Sequence, residues 1–185
     1  SGLMSITGES KGKSPMKVGA PVTDITAGIL AATGVLAALV SRANTGVGQR
    51  VDTSLYEAGI VHTYWQSAIA SATGIAPGPL GSAHPLTAPY QAFQTKDKWI
   101  TVGASNQNTW LKLIDALDAK ELQENEKFNS NANRMKNVTE LTELLKKELV
   151  KKTAEEWLKL FDEKGLPCGP INTITEISIN TKYVA

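Results

Sequence analysis

The stretch Val18-Gly-Ala-Pro-Val-Thr-Asp-Ile-Thr-Ala-Gly-Ile-Leu-Ala-Ala-Thr-Gly-Val-Leu-Ala-Ala-Leu-Val40 contains a single ionisable side chain, Asp24. The apolar pattern that follows Asp24 predicts an α-helix over roughly Ile25 to Ser41, beginning where a proline-containing loop ends. Because Gly and Ala let other backbone approach closely, we expect this helix to be buried and tightly packed. Its apolar run of about 16 residues is shorter than the roughly 20 that a bilayer requires, which argues against a membrane span.

Asp24 has two interpretations at this position. Asp is a favoured N-cap residue, because its carboxylate accepts hydrogen bonds from the free N–H groups of the first turn and suits the positive end of the helix dipole. A carboxylate is also ionised at neutral pH without a partner base, so it can act as a nucleophile. The spacing alone favours the cap, and the two roles are compatible.

The composition of the 185 residues is typical of an ordinary soluble protein, with 42% hydrophobic residues, 20% charged residues and a net charge of +1. This balance gives no electrostatic reason to expect nucleic acid or an anionic membrane as a partner. The single cysteine, Cys168, excludes an internal disulfide, and with only His62 and His84 beside it we expect no metal site. No targeting segment is visible, so the cytoplasm is the default location.

The sequence after the first predicted helix indicates a turn, a strand and a second helix. Asn44-Thr-Gly-Val-Gly-Gln49 predicts a turn, and it lacks the third glycine and the Lys-Ser/Thr pair of phosphate-binding loops. Gln49–Thr53 is a candidate short strand. Ser54 and Glu57 have the spacing of a capping box, which predicts a helix to about Thr73.

The second half of the chain begins after a stretch rich in Gly, Pro, Ser and Ala, from Gly74 to Pro89, which predicts a linker or mobile loop and hence a domain boundary. Tyr90–Thr95 and Trp99–Gly103 then predict a β-hairpin. Leu166-Pro-Cys-Gly-Pro170 predicts a rigid turn. Further helices are predicted over about 106–118, 138–151, 154–164 and 173–179, from apolar periodicity and capping residues.

Six motifs occur in order along nearly the whole chain: Ser1-Gly-Leu-Met-Ser-Ile-Thr-Gly8; Val18-Gly-x-Pro-x-x-Asp24; Arg42-x-x-Thr-Gly-x-Gly-Gln-x-Val-Asp52; Gly81-Ser-Ala-His-Pro85 with Pro89-Tyr-Gln-Ala-Phe93; Val102-Gly103; and Leu166-Pro-Cys-Gly-Pro-Ile171. This ordered set resembles the family III CoA-transferases, also called the CaiB/BaiF family. The group includes formyl-CoA transferase, succinate-hydroxymethylglutarate CoA-transferase, the carnitine and bile-acid CoA enzymes and alpha-methylacyl-CoA racemase.

The resemblance implies an α/β fold of the CoA-transferase family III type, in which this chain is a central fragment that is mostly helical with a small antiparallel sheet. Complete members form interlocked homodimers whose Rossmann-like large domain is built from both ends of the chain. Residues 1–75 would then be part of the large domain with the catalytic-aspartate helix, and residues 76–185 the linker and small domain. Because the family holds CoA mostly with its N-terminal part, we expect this chain alone to bind CoA poorly and to be inactive.

The resemblance assigns the catalytic role to Asp24. In that role its carboxylate would form an aspartyl anhydride with the donor acyl group and then an aspartyl-CoA thioester, with the CoA thioester as a substrate and no further cofactor. The surroundings of Asp24 and the Tyr90-Gln-Ala-Phe-Gln-Thr segment look more like the transferases of dicarboxylic acids, which we therefore favour.

The resemblance also places a lid at Gly81-Ser-Ala-His-Pro85, where formyl-CoA-type members have a glycine-rich closing loop. This chain has one glycine there, so glycine-loop chemistry is not expected, whereas gating and contact of Gly81, Ser82 and His84 with substrate stay open. His62 is expected to be a packed histidine, Tyr64 and Trp65 to lie in the core or a subunit interface, and Cys168 to be a small buried residue.

Two other functions remain open. A racemase of the same family places its histidine before the aspartate, but neither His62 nor His84 precedes Asp24, so the deciding residue would lie upstream. A carnitine or bile-acid CoA enzyme belongs to the same alternative. A non-catalytic helical interaction module is the second alternative, supported by the charged helices predicted after residue 100.

Overall fold

The computed structural model of the chain describes residues 1–179. They form two compact units, Ser1–Gly81 and a second unit that begins at Ser82. In the first unit the helices are α1 (Leu3–Ile6), α2 (Val22–Thr45), α3 (Leu55–Val61) and α4 (Tyr64–Thr73). In the second unit the order is β1 (Tyr90–Gln94), β2 (Trp99–Gly103), α5 (Gln107–Leu117), α6 (Lys120–Glu124), α7 (Asn131–Lys136), α8 (Val138–Leu149), α9 (Ala154–Glu163), β3 (Cys168–Pro170) and α10 (Ile174–Ile179). The chain is thus mostly helical with a small antiparallel sheet, as the resemblance implied, whereas the division at residues 75 and 76 concerns the complete protein and stays a prediction.

Helix α2 is longer at both ends than the sequence predicted. It begins at Val22 with Pro21 in the N-cap position, because a proline's missing N–H costs nothing at a helix start. It ends at Thr45, where Gly46 takes a left-handed φ of 72° and its N–H donates to the Arg42 carbonyl at 2.8 Å. The helix therefore starts before Asp24, and not after it.

The prediction that α2 is a buried helix is wrong for most of its surface. Ala38 is its one buried residue, and the side chains of Leu36 and Val40 are 64% and 65% exposed. On one side the helix is packed as the small residues predicted, because a Cβ added to Gly34 would lie 2.6 Å from Cγ1 of Val51. Composition predicted this close approach, but it does not reveal how much of the helix surface the unit covers.

The length argument against a membrane span is also wrong. Helix α2 has 24 residues and a window with a mean hydropathy of 1.7, so its length and composition would allow it to cross a membrane. It is the one described helix that passes this test, which core helices of soluble proteins pass as well. The cytoplasmic location therefore stays a prediction.

The predicted helix from Ser54 to Thr73 is interrupted and forms α3 and α4. Ser54 caps α3, since its Oγ accepts the Glu57 N–H at 3.1 Å and donates to Glu57 Oε2 at 3.0 Å. The interruption falls at residues 62 and 63, where the Thr63 hydroxyl donates to the Ile60 carbonyl at 2.8 Å. The Thr63 N–H donates to the same carbonyl at 2.9 Å, so the helix tightens into a turn there before α4 begins.

The predicted strand at Gln49–Thr53 is also wrong. These residues are extended but pair with no strand among the described residues. Val51 packs against Gly34, while Arg50 and Asp52 form an exposed ion pair at 2.8 Å. A β-strand needs backbone hydrogen bonds with a neighbouring strand. The sequence of one segment does not show whether such a neighbour lies alongside it.

The predicted β-hairpin is present, and β3 extends it to a three-stranded antiparallel sheet of order β1-β2-β3. The register places Phe93 of β1 opposite Ile100 of β2, and Val102 of β2 opposite Cys168 of β3. The prediction of a rigid turn over Leu166–Pro170 missed β3, because three residues are too few to show an alternating pattern.

The hydrophobic core of the second unit lies between this sheet and helices α5, α8 and α9. Its fully buried side chains include Phe93, Ile100, Val102, Trp110, Leu113, Phe128, Leu141, Leu145, Leu149 and Phe161. Capping boxes at Asn106/Thr109 and Thr153/Glu156 begin α5 and α9, which confirms these two helix starts. Helices α6 and α7 were not predicted, since five or six residues are too short to show a helical period.

The predicted helix at the end of the chain is present as α10 and is tied to the hairpin. The Thr173 N–H donates to Glu176 Oε2 at 2.7 Å, and Lys98 forms an ion pair with Glu176 at 3.1 Å. The Thr173 backbone bond, followed by the bond to Lys98, lowers the pKa of Glu176 from an ordinary value of 4.5 to about 2.

Arg134 of α7 is fully buried without a carboxylate partner among the described residues. Its Nε donates to the Ala88 carbonyl at 2.7 Å, and its Nη1 donates to Gln107 Oε1 and to the Phe128 carbonyl, both at 3.0 Å. The guanidinium lies 4.8 Å from the ring centroid of Trp110. Burial lowers the pKa of the Arg134 guanidinium, because the loss of water disfavours its charge. The neutral acceptors and the Trp110 ring stabilise that charge in place of water.

We expect Arg134→Lys to lower the free energy of unfolding by about 2–4 kcal/mol, because an ammonium keeps the buried charge but cannot reproduce the planar fork of donors or the stacking on Trp110. Urea unfolding followed by tryptophan fluorescence measures the change. Arg42→Lys, at an exposed position of α2, is the matched control. An equally small change in both variants would contradict this account of Arg134.

Candidate active site

Asp24 is the third residue of α2 and is exposed. Its carboxylate does not cap the helix, which contradicts the capping prediction, because α2 starts three residues earlier than the cap role requires. The Thr23 hydroxyl donates to Asp24 Oδ2 at 3.2 Å. Asp24 therefore lies within the first turn, where the helix dipole favours a negative charge, with its carboxylate available to a ligand.

An open cavity of about 370 Å³ lies at the start of α2. It is lined by residues 17–23 together with Ser1, Leu3 and Met4. Thr23 belongs both to this lining and to the hydrogen bond with Asp24. One side chain thus connects the carboxylate to a cavity whose volume lies within the roughly 300–1,000 Å³ of small-molecule sites.

The position of Thr23 depends on the close packing of α3 against α2. A Cβ added to the buried Gly59 of α3 would lie 2.5 Å from Cβ of Ser1 and 3.3 Å from Cγ2 of Thr23. No larger residue fits at position 59 without displacing a wall of the cavity.

His62 follows α3 and bonds to α2, but it is exposed, so the prediction of a packed histidine is wrong. Its Nε2 lies 2.7 Å from the Thr26 hydroxyl, one of the contacts that join the two helices. Tyr64 and Trp65 are 76% and 49% exposed, which excludes the core for both and leaves the subunit interface as a prediction.

The predicted lid residues are divided between the two units. Gly81 ends the first unit with a left-handed φ of 62° and donates its N–H to the Gly8 carbonyl at 2.9 Å. In the second unit, the Ser82 Oγ accepts the Ala92 N–H at 3.0 Å, and the His84 ring stacks on Tyr90 with 5.3 Å between centroids. Contact of Gly81, Ser82 and His84 with substrate stays a prediction.

The chain that follows His84 is fixed by α7. Asn131 donates to the Leu86 carbonyl at 2.9 Å and accepts the Ala88 N–H at 3.2 Å, while Arg134 donates to the Ala88 carbonyl. The Leu86 N–H also donates to Nδ1 of His84 at 3.1 Å. A gating motion of this loop would have to break this set of bonds, so the structure favours an anchored loop in the second unit over a mobile linker.

Cys168 lies in β3 and is half-buried, so the prediction of a small buried residue is met only in part. Burial, with a smaller contribution from the charge of Asp162, raises the pKa of the Cys168 thiol, so the thiolate is disfavoured. Among the described residues, His, Cys, Asp and Glu form no group of three or more that could hold a metal ion.

Sequence reasoning missed three residues of this site, namely Lys17, Thr23 and Gly59. Two of them carried a usable signal, since Thr23 directly precedes Asp24 and Lys17 is the last charged residue before the uncharged run. Gly59 carried none, because its role depends on a contact with a residue far away in sequence.

Comparison with known proteins finds similarity along the whole chain. Residues 1–185 match the family described as CoA-transferase family III. Succinyl-CoA:glutarate CoA-transferase from Homo sapiens is 34% identical over 186 residues, covering 96% of this chain and 40% of that protein. Acetyl-CoA:oxalate CoA-transferase from Acetobacter aceti is 32% identical over 176 residues, covering 95% of this chain and 45% of that protein.

A solved structure gives the same result for the fold. A CaiB/BaiF family protein from Brucella suis aligns with a TM-score of 0.80 at 31% identity, over 99% of this chain and 48% of that chain. This chain therefore spans roughly two-fifths to one half of the length of the proteins it matches. The similarity confirms the family to which the sequence motifs pointed.

Two glycines of the helix that carries Asp24 are expected to respond in opposite directions to substitution. Gly34→Ala brings a Cβ to 2.6 Å from the β-branched Val51 and should destabilise the chain, whereas nothing lies within 4 Å of a Cβ added to Gly28. Gly28→Ala should therefore stabilise α2 by about 0.5–1 kcal/mol through helix propensity. Urea unfolding followed by far-UV circular dichroism compares the pair, and stabilisation by both substitutions would disprove the close contact.

Proposed function

The chain belongs to CoA-transferase family III, and on that premise we propose that the full-length protein moves CoA from an acyl-CoA thioester to a free dicarboxylic acid. The observation that carries the proposal is the carboxylate of Asp24 in the first turn of α2, joined through Thr23 to an open cavity. The dicarboxylic acid is supported by relatives whose names specify glutarate and oxalate as acceptors.

The first half of the reaction uses Asp24 as the nucleophile. Its carboxylate oxygen attacks the thioester carbonyl, the C–S bond breaks, and CoA leaves as a thiolate while a mixed anhydride forms on Asp24. The thiolate then attacks the aspartyl carbonyl of the anhydride, which releases the donor acid and leaves an aspartyl-CoA thioester. No proton or electron is gained or lost in either step.

The second half repeats these steps with the acceptor. The acceptor carboxylate attacks the aspartyl thioester carbonyl, which expels the CoA thiolate and forms a second mixed anhydride. The thiolate attacks the acceptor acyl carbon, and this step gives the new acyl-CoA and restores the carboxylate of Asp24. Each intermediate reacts with water, so we expect Gly81, Ser82 and His84 to shield the site, a role that the resemblance supplies.

The first turn of α2 suits both states of this nucleophile. The free N–H groups at the start of the helix favour the ionised carboxylate before attack, and they are donors for an oxyanion when the carbonyl carbon becomes tetrahedral. These two uses compete for the same donors. The hydroxyl of Thr23 is a further donor, because it already lies 3.2 Å from Asp24 Oδ2.

We further propose that the remainder of the full-length protein and a second copy of it cover the exposed side of α2. The support is the family's interlocked dimer together with the exposed apolar side chains of Ile29, Leu36 and Val40. A continuous apolar helix face of this kind is unusual on the surface of a soluble monomer.

Asp24→Asn should lower CoA-transfer activity of the full-length protein by at least about a thousandfold, because an amide is a poor nucleophile toward a thioester. Hydroxylamine added during turnover should yield a hydroxamate at position 24 in the wild-type protein, detected by peptide mass spectrometry, and none in the variant. Asp52→Asn, at an exposed ion pair with Arg50, is the matched control. A racemase or a non-catalytic module would leave no trapped acyl group, and that result would reject the proposal.

Residues 1–185 expressed alone should show no CoA transfer and only weak CoA binding. The reason is the expectation, from the resemblance to the family, that CoA is held mostly by a part of the full-length protein outside residues 1–185. Isothermal titration with CoA and a coupled transfer assay compare this chain with the full-length protein. Turnover by the isolated chain at a rate near that of the full-length protein would contradict the expectation.

A further inference from the structure

Lys17 carries the only charged side chain among the residues that line the cavity at the start of α2. It forms no ion pair with any residue that the structure describes. We propose that Lys17 binds the far carboxylate of a dicarboxylic acid whose near carboxylate reacts at Asp24. This inference rests on the proposed function and names the residue that would select for a second carboxylate.

The need for a cation follows from the charges of the reactants. A dicarboxylic acid that enters the cavity brings two negative charges toward Asp24, and like charges a few ångströms apart repel strongly where water is excluded. One carboxylate is consumed in forming the bond to Asp24, but the other stays ionised throughout. An ammonium that pairs with it removes the repulsion and fixes the orientation of the substrate.

The lining suits the carbon chain between the two carboxylates. Leu3, Val18 and Val22 give the cavity apolar walls, and Lys17 and Thr23 lie at the two ends of the 17–23 segment that forms one side. The two polar positions are thus separated by apolar surface, as the two ends of a short dicarboxylic acid are separated by methylene groups. The volume of about 370 Å³ is sufficient for such a molecule.

The other cations of the first unit are placed differently. Lys11 and Lys13 line a separate cavity of about 300 Å³ together with residues 76–79. Arg50 pairs with Asp52, and Arg42 lies in the last turn of α2, at the opposite end from Asp24. Lys17 is therefore the one lysine or arginine of the described first unit that lines the cavity at the start of α2, and Lys13 provides a matched control.

The test compares two acceptors that differ only in the charge of the far end, namely glutarate and glutarate monoamide. CoA transfer from succinyl-CoA by the full-length protein is measured with each acceptor. The wild-type protein should prefer glutarate in kcat/KM by about 10- to 100-fold, the value of one charge-assisted hydrogen bond. Lys17→Met should bring this ratio close to one, Lys17→Arg should retain most of the preference, and Lys13→Met should leave it unchanged.

Equal losses with both acceptors in Lys17→Met, or an unchanged preference for glutarate, would overturn the inference. A failure of the proposed function has a different signature, since neither acceptor would then react and no hydroxamate would form at Asp24. In that case calorimetric titration of the full-length protein with the same two compounds still decides the role of Lys17. Tighter binding of glutarate that Lys17→Met abolishes supports it, and the absence of such a preference refutes it.

Discussion

The placement of Asp24 depends on one steric constraint, the close approach of α2 to the chain that follows it. Gly34 admits the side chain of Val51, and Gly59 admits Ser1, in both cases at distances that a Cβ would not tolerate, and Gly59 also lies close to Thr23. The contacts of Gly59 lie at the start of α2, where they position Thr23, the hydrogen-bond donor to Asp24, and Ser1 in the cavity wall. The absence of a side chain at Gly59 therefore preserves the cavity beside the proposed nucleophile, and the absence of one at Gly34 lets α2 pack closely on Val51.

The second unit depends on a different constraint, because the buried charge of Arg134 requires hydrogen-bond acceptors around it. Arg134 reaches three elements at once: the loop before β1 through Ala88, the start of α5 through Gln107, and the chain before α7 through Phe128. Because the charge cannot be left without acceptors, these three segments must come together in one arrangement. The buried Arg134 thus specifies how these three segments are joined. The hydrophobic core alone would hold them less firmly.

Local signals predicted the elements whose cause is local. Capping residues and apolar periodicity located α5, α8 and α9 and the hairpin, and the ordered motifs identified the family and Asp24 as the proposed nucleophile. Four of the failures share a non-local cause. The exposure of α2, the pairing of β3, the unpaired Gln49–Thr53 and the contribution of Lys17 all depend on which distant segment lies alongside, and one sequence without relatives does not contain that information. The early start of α2 at Val22, the interruption at Thr63 and the short helices α6 and α7 had local causes and were still missed.

Strand β3 has a consequence for the order in which the second unit folds. It pairs with β2 across the whole of residues 104–167, whereas β1 and β2 are joined by a tight turn. Pairing β3 with β2 closes a long loop, and this closure costs chain entropy. Folded helices shorten the free part of the loop and lower that cost, so the hairpin and α5–α9 should form before β3 docks. A ribosome would therefore have to release residue 170 before the sheet could be completed, and the proline-flanked segment Leu166–Pro170 would be the last part of this sheet to become ordered during synthesis.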